Sequence, residues 1–105
     1  MERWLPVDGF DGRYEVSDEG RVRGPRGLLY LYVDHGYVYV KLWKEGRRKN
    51  YRVNRLVALA FIPNPEAFPD VHHRNDNPLN NHAVNLQWMP HEENVRCQRR
   101  CKKSC

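Results

Sequence analysis

Apolar and polar residues alternate along the sequence LLYLYVDHGYVYVKLW, which covers residues 28–43. This period of two is typical of a β-strand that buries one face. The pattern predicts a hairpin with His35-Gly36 as its turn. It places residues 37, 39, 41 and 43 on one face and residues 38, 40 and 42 on the other. A third strand is expected over residues 48–53, after a turn at Gly46.

The pattern is different on either side of this sheet. Residues 4–22 hold short apolar runs separated by Asp-Gly and Glu-Gly pairs, which predicts short strands joined by tight turns. Residues 54–61 predict a helix with Asn54 as its N-cap. This helix is apolar on nearly all sides and is therefore expected to be buried. The proline-rich sequence IPNPEAFP ends it.

Polar residues that favour turns dominate the last third of the chain. We expect a strand over residues 70–73, a polar loop over 74–84, a second strand over 85–88 and a helix that begins near Pro90. Proline suits the first position of a helix, and the glutamates that follow suit the positive end of its dipole. Many of the side chains that could ligate a metal or form turns lie in the segment VHHRNDNPLNNHAVNLQW, residues 71–88.

The charge of the chain favours a polyanion as its partner. The 105 residues carry a formal net charge of +5. The basic residues form two clusters, one over residues 47–55 and one over 96–103. A basic surface can serve solubility alone. Two clusters that flank a segment rich in His and Asn favour nucleic acid instead.

The sequence also indicates the cellular compartment of the protein. No apolar run approaches the ~20 residues of a membrane span, and the opening sequence MERWLPVDG lacks the apolar region of a signal peptide. We therefore expect a cytosolic protein with reduced cysteines. Cys97, Cys101 and Cys105 would line one face of a helix. A zinc site would need a fourth ligand, such as His91, so buried or tolerated thiols are the simpler explanation.

The order of elements and residues in the last third resembles the HNH nuclease motif, also called the ββα-metal or His-Me finger motif. His73 ends the first expected strand, Asn85 begins the second, and Asn94 lies in the helix. The sequence NRLVALAFIPNP is similar to the helix that precedes this motif in phage-type HNH endonucleases. The opening W-x-P-V-x-G-F-x-G-x-Y-E-V-S-D-E-G-R-V resembles the nuclease-associated module of phage and intron-encoded homing endonucleases.

This resemblance implies an α+β fold in two parts. Residues 1–53 would form a small N-terminal antiparallel β-sheet module, and residues 54–105 the HNH motif with its preceding short helix. The implied activity is metal-dependent hydrolysis of DNA phosphodiester bonds.

The resemblance also implies roles for particular side chains. His73 matches the general base that activates water, and His72 matches the preceding position, which ligates the metal. Asn85 matches the central asparagine, which ties the loop to the strands and so orients His73. Asn94 matches the last motif position and would be the second metal ligand.

Other positions match less specific parts of the family pattern. Asn80, Asn81 and the Leu-x-Trp sequence at residues 86–88 match loop and packing positions. Asn75-Asp76 replaces the Asp-Gly pair of many members. Because Asn and Asp both tolerate the left-handed conformation, we expect the turn to form at some strain.

The chemistry of phosphodiester hydrolysis supports these roles independently. A histidine with a pKa near ~6.5 is partly neutral at pH 7 and can accept a proton from water. A divalent cation stabilises the phosphoryl charge and the leaving oxygen. One imidazole and one amide oxygen leave positions open for water and phosphate, as Mg²⁺ prefers, while imidazole also favours Mn²⁺, Ni²⁺ or Zn²⁺. Adjacent residues of a strand face opposite ways, so His72 and His73 share one site only where the strand ends or bends.

The basic clusters are the expected DNA contacts, which position the backbone without reading sequence. The resemblance implies double-stranded DNA as substrate, no membrane partner, and a phage-encoded protein in the cytoplasm of a bacterial host. A monomer would nick, and a homodimer could cut both strands. Because the chain ends shortly after Asn94, we expect poor sequence specificity or a partner that supplies it. The expected DNA-binding residues are Arg47, Arg48, Lys49, Arg52, Arg96, Arg99, Arg100, Lys102 and Lys103.

Two alternatives stay open from the sequence. The same scaffold could serve as a catalytically silent DNA-binding module, which would bind DNA equally with and without metal. The cysteines and histidines could instead hold a structural zinc ion, whose loss on Cys97→Ser would be seen in the metal content of the protein.

Overall fold

A computed structural model of the protein describes residues 2–92. His91 and Glu92, at the expected start of the C-terminal helix, have helical backbone. The expected metal ligand in that helix, its basic residues and the cysteines lie outside the described residues. These are Asn94, Arg96, Cys97, Arg99, Arg100, Cys101, Lys102, Lys103 and Cys105.

The described residues form one α-helix and short antiparallel strands, as expected for an α+β fold. The strands form three sheets, in the orders β1-β2-β3-β4, β5-β6-β7 and β8-β9. The elements are β1 (Trp4–Pro6), β2 (Glu15–Ser17), β3 (Val22–Gly24), β4 (Gly27–Leu28), β5 (Leu31–Asp34), β6 (Tyr37–Lys44), β7 (Arg47–Arg52), α1 (Val53–Phe61), β8 (Asp70–His73), a 3₁₀ turn (Ala83–Asn85) and β9 (Leu86–Met89).

The β5-β6 hairpin confirms the predicted turn and the predicted faces. His35 and Gly36 have φ angles of 51° and 83°, as a two-residue turn with two left-handed positions requires. Val40 and Leu42 are fully buried on one face, and Trp43 is exposed on the other. The third strand, β7, is shifted by one residue from the prediction and covers Arg47–Arg52.

The helix α1 lies at the centre of the fold and contacts strands of all three sheets. The predicted N-cap is wrong. Because β7 runs directly into the helix, Arg52 is the N-cap residue, without a side-chain hydrogen bond, and Asn54 lies buried in the first turn. The prediction of full burial is also wrong. Leu59 is 60% exposed, since Arg55 and Leu59, four residues apart, share the side that the sheets leave uncovered.

One hydrophobic core joins the N-terminal sheet to the later elements. The hydroxyl of Tyr14 accepts a hydrogen bond from the backbone N–H of Trp43 at 3.0 Å. The backbone N–H of Ala83 donates to the carbonyl of Asp18 at 2.8 Å. The predicted division of the chain between residues 53 and 54 stays a prediction. The core residues are Val7, Phe10, Tyr14, Val16, Val22, Val40, Leu42, Val53, Leu56, Val57, Ala58, Val71, Leu86 and Trp88.

None of the helices in residues 2–92 is long and apolar enough to cross a membrane.

Candidate active site

The strands β8 and β9 form a short ribbon with a loop, residues 74–85, at one end. His73 ends β8 and pairs with Leu86, the first residue of β9. The backbone N–H of Asp76 donates to the carbonyl of His73 at 2.9 Å, which turns the chain sharply after the strand. The strand therefore ends at His73, which is the condition under which two adjacent histidines can serve one site.

The side chain of Asn85 closes this loop on itself. Its Oδ1 accepts from the N–H of Asn75 at 3.1 Å, and its Nδ2 donates to Oδ1 of Asn75 at 3.0 Å and to the carbonyl of Asn80 at 2.9 Å. Asn85 is 9% exposed and lies in the 3₁₀ turn just before β9. The strand begins at Leu86, one residue later than the sequence predicted. These three bonds join Asn85 to Asn75 and Asn80 and hold the loop, and the bond to the imidazole of His73 comes from Asn81 instead.

The turn after His73 has the expected backbone. Asn75 accepts the N–H of Asn77 on its side-chain oxygen at 2.9 Å, which is the local bond that makes asparagine a turn residue. Asp76 has a φ of 61°, a left-handed value that aspartate adopts at some cost. The prediction that Asn75-Asp76 can replace Asp-Gly here is therefore confirmed.

His73 is the most enclosed titratable group of the site, with 0% of its surface exposed. Its Nε2 lies 2.9 Å from Oδ1 of Asn81. An amide oxygen only accepts, so Nε2 is the nitrogen that carries the proton. Nδ1 has no hydrogen-bond partner among the described residues. Burial lowers the pKa of His73, the bond to Asn81 opposes this, and the charge of His72 adds to the lowering. The lowered pKa favours the neutral imidazole, and in that form the bond to Asn81 leaves the lone pair on Nδ1.

His72 is half-buried and alternates along β8 with the buried Val71 and His73. Burial lowers its pKa, while the charge of Asp76 raises it and that of Arg74 lowers it. The neutral ring is the form of histidine that ligates a metal. No group of three or more His, Cys, Asp or Glu side chains within residues 2–92 is arranged to hold a metal ion.

Tyr37 and Arg52 adjoin the site, and the sequence did not predict this position for Tyr37. The rings of Tyr37 and His73 are 6.2 Å apart between centroids. The guanidinium of Arg52 lies over the Tyr37 ring at 4.3 Å from its centroid, and its Nε donates to the hydroxyl of Tyr39 at 3.2 Å. The alternation of β6 placed both tyrosines on the outer face, but only the folded chain brings that face to His73.

The basic residues of β7 do not share one face. Pairing of Trp43 with Arg48 and of Tyr39 with Arg52 places these two arginines on the outer face of the sheet. The guanidinium of Arg48 lies 5.8 Å from the centroid of Trp43. Strand alternation places the other two, Arg47 and Lys49, on the opposite face. All four side chains are exposed.

The remaining histidines have simpler surroundings. His35 is exposed in its turn and lies 2.9 Å from Asp34, as a solvated turn residue should. His82 is exposed in the loop. His91, which the sequence suggested as a fourth ligand of a zinc site, has its Nδ1 2.8 Å from Oδ2 of Asp70.

Two regions of the chain match models of known families. Residues 2–43 match the NUMOD4 motif, and residues 51–96 match the HNH endonuclease model. Residues 51–96 thus carry an HNH endonuclease motif and residues 2–43 a NUMOD4 motif, which confirms the resemblance to HNH endonucleases of the phage and homing type.

Individual relatives agree with this assignment. The DNA endonuclease I-HmuI of Bacillus phage SP01 is 34% identical over 98 residues, which are 90% of this chain and 56% of that protein. An uncharacterised HNH endonuclease of Acanthamoeba polyphaga mimivirus, L245, is 37% identical over 97 residues, 90% of this chain and 29% of that protein. The chain thus spans about half of the phage relative and less of the viral one.

A solved structure of I-HmuI, described as DNA binding and cleavage by this HNH homing endonuclease, superposes with a TM-score of 0.83 at 32% identity. The match covers 95% of this chain and 59% of that one. The predicted α+β fold class is confirmed.

Proposed function

We propose that the protein is a divalent-metal-dependent endonuclease that hydrolyses phosphodiester bonds of double-stranded DNA. Residues 54–105 would form its nuclease motif and residues 1–53 the associated module. The observation that carries the proposal is Nδ1 of the buried His73, which has no hydrogen-bond partner within residues 2–92 and lies beside the loop that Asn85 closes. The family supports the reaction class. The bacterial cytoplasm, where phage and host DNA meet, is the compartment we propose.

His73 would act as the general base. Its neutral imidazole accepts a proton from water on Nδ1, while Nε2 keeps its proton for Asn81. Burial favours the neutral ring, so a larger fraction of the protein is ready to accept a proton at pH 7. Asn85 contributes by holding the loop that follows the base.

His72 and Asn94 would hold the metal, with Mg²⁺ as the expected ion and Mn²⁺, Ni²⁺ or Zn²⁺ as possible substitutes. The donor chemistry fits, because burial favours the neutral form of His72 and a sparse ligand set leaves room for water and phosphate. When bound, a divalent cation stabilises the charge of the phosphoryl group and of the leaving oxygen.

The outer face of β6 and β7 is the surface we propose for the DNA backbone. It carries Arg48 and Arg52, and it ends at Tyr37, beside His73. A duplex on this face would have positive charge along its backbone and the general base at one end. The basic C-terminal residues 96–103 would contribute from beyond the described part of the chain.

Neutralising Arg52 should weaken DNA binding and reduce its salt dependence. For Arg52→Ala, a plot of the logarithm of the DNA-binding constant against the logarithm of the salt concentration should be less steep by about one unit, because one phosphate contact is lost. Arg47→Ala is the matched control, since Arg47 has the same charge and strand but faces the other way. Fluorescence anisotropy with a labelled duplex at several salt concentrations measures both. Equal slopes for the two variants would remove the outer face as the binding surface.

Metal removal should abolish cleavage and leave DNA binding in place. Supercoiled plasmid is incubated with the protein in Mg²⁺, in Mn²⁺ and in EDTA. Open-circle product is expected with metal, from a monomer that nicks, and linear product would indicate a homodimer or paired events. EDTA should stop both reactions, since no other group in the proposed site stabilises the leaving oxygen.

The same plasmid tests the alternative of a silent DNA-binding module. A protein that retards the plasmid on a gel equally in metal and EDTA, and that yields only intact supercoiled DNA in every metal, would contradict the endonuclease proposal and favour that module.

A further inference from the structure

We infer that Asn81 is a positioning residue for His73, and that the turn Ser17–Gly20 of the N-terminal sheet holds Asn81 in place. This inference rests on the proposed function in so far as it concerns the rate of cleavage. Its structural part concerns which nitrogen of His73 carries the proton, and it holds whether or not the protein cleaves DNA.

The first step is the contact between Asn81 and His73. Asn81 is 5% exposed, and its Oδ1 lies 2.9 Å from Nε2 of the fully buried ring. A neutral imidazole carries one proton and one lone pair. An acceptor at Nε2 therefore fixes the proton there and leaves the lone pair on Nδ1, for which the described part of the chain offers no partner. Without Asn81 the two tautomers would compete, and one of them would have no lone pair at Nδ1.

The second step is the contact between Asn81 and Gly20. A Cβ added at Gly20 would lie 3.0 Å from Cβ of Asn81 and 3.2 Å from its carbonyl oxygen. Gly20 also has a φ of +86°, which other residues adopt only with strain. Glycine at this position thus allows the turn to lie directly against Asn81.

The third step is the rigidity of the turn itself. Ser17 is fully buried, and its hydroxyl accepts the N–H groups of Glu19 at 3.2 Å and Arg21 at 3.0 Å. The carbonyl of Asp18 accepts the N–H of Ala83 at 2.8 Å. The turn is therefore held from within and is bonded to the chain two residues after Asn81. A side chain packed against such a turn has little freedom to leave the imidazole.

The test uses two glycines with the same backbone strain and different neighbours. Gly12 has a φ of +77° and nothing within 4 Å of an added Cβ. Gly12→Ala and Gly20→Ala should both lower the melting temperature. Only Gly20→Ala should also lower kcat of the folded protein, by about 10- to 100-fold, as is typical for loss of an outer partner of a site histidine. KM for DNA should stay unchanged in both.

Asn81 itself is tested with Asn81→Leu, which removes the acceptor at similar volume, and Asn81→Asp, which keeps an oxygen in its place. Leucine should lower kcat by the same factor, and aspartate should restore most of it. The ¹⁵N NMR shifts of His73, at a pH where the ring is neutral, report the tautomer directly. The wild type and Asn81→Asp should show the proton on Nε2, and Asn81→Leu a mixture.

Two results would overturn the inference. One is an unchanged ¹⁵N pattern of His73 in Asn81→Leu, and the other is an equal loss of kcat in the two glycine variants. If the wild type does not cleave DNA at all, the proposed function fails, but the ¹⁵N comparison still decides whether Asn81 sets the tautomer.

Discussion

His73→Ala is expected to lower the rate of DNA cleavage by about 10²- to 10⁴-fold, the usual contribution of a positioned general base. The fully buried ring is the proton acceptor that we propose for the attacking water. The affinity for DNA should change little, because the proposed phosphate contacts lie on β7 and beyond residue 92. Single-turnover nicking of supercoiled plasmid measures the cleavage rate, and fluorescence anisotropy with a labelled duplex measures the affinity.

A companion variant is needed because alanine leaves a cavity where the imidazole was. His73→Gln fills more of that volume, and its amide can still donate to Oδ1 of Asn81. It should melt closer to the wild type than His73→Ala and yet cleave as slowly. Cleavage by either variant at the wild-type rate would mean that another group accepts the proton.

Asn85→Ala is expected to lower the free energy of unfolding by about 2–4 kcal/mol, since each hydrogen bond contributes about 1 kcal/mol and the groups left behind lose their partners. Asn85 makes three such bonds from a side chain that is 9% exposed. The cleavage rate should fall as well, because the loop after His73 is no longer closed. Urea unfolding followed by tryptophan fluorescence measures the stability.

The matched control for this change is His82→Ala, in the same loop. The side chain of His82 is exposed, so its removal should change the free energy of unfolding by less than about 0.5 kcal/mol. Equal stability of the two variants would show that Asn85 does not close the loop in solution.

Local patterns predicted most of the fold because they depend on near neighbours. The alternation around His35-Gly36 set the hairpin and its faces, and the order of strands and loop around His73 set the ββ ribbon. The left-handed conformation of Asp76 agrees with the family pattern, which has Gly there, and with the tolerance of Asp for that conformation. These features need no knowledge of what lies elsewhere in the chain.

The wrong predictions about the helix share a different cause. Asn54 is a residue type that often caps helices. The preceding strand continues to Arg52, however, and the helix begins at Val53, before Asn54. Leu59 belongs to an apolar helix, but no pattern in the sequence says which side the sheets leave uncovered. In both cases a contact with another element overrides a local preference: β7 pairs with β6 as far as Arg52, and the sheets cover only part of the helix.

The contacts around His73 could not be found in the sequence for the same reason. Asn81 looked like one more loop asparagine, and Tyr37 like one more residue of an exposed strand face. The roles of His72, Asn85 and Asn94 stay predictions from the family pattern. The structure adds the surroundings that tell two neighbouring asparagines, Asn80 and Asn81, apart.

The hydrogen bond from Ala83 to Asp18 has a consequence for how such chains evolve. It links a residue of the NUMOD4 segment to one of the HNH segment, which can otherwise be recognised separately. Recombination at the boundary of the two segments would join each to a segment from another gene. The hydrogen bond between the carbonyl and the amide would then form only if the two new segments happened to pack in the same way. We expect the two segments to be inherited together, as one unit of selection.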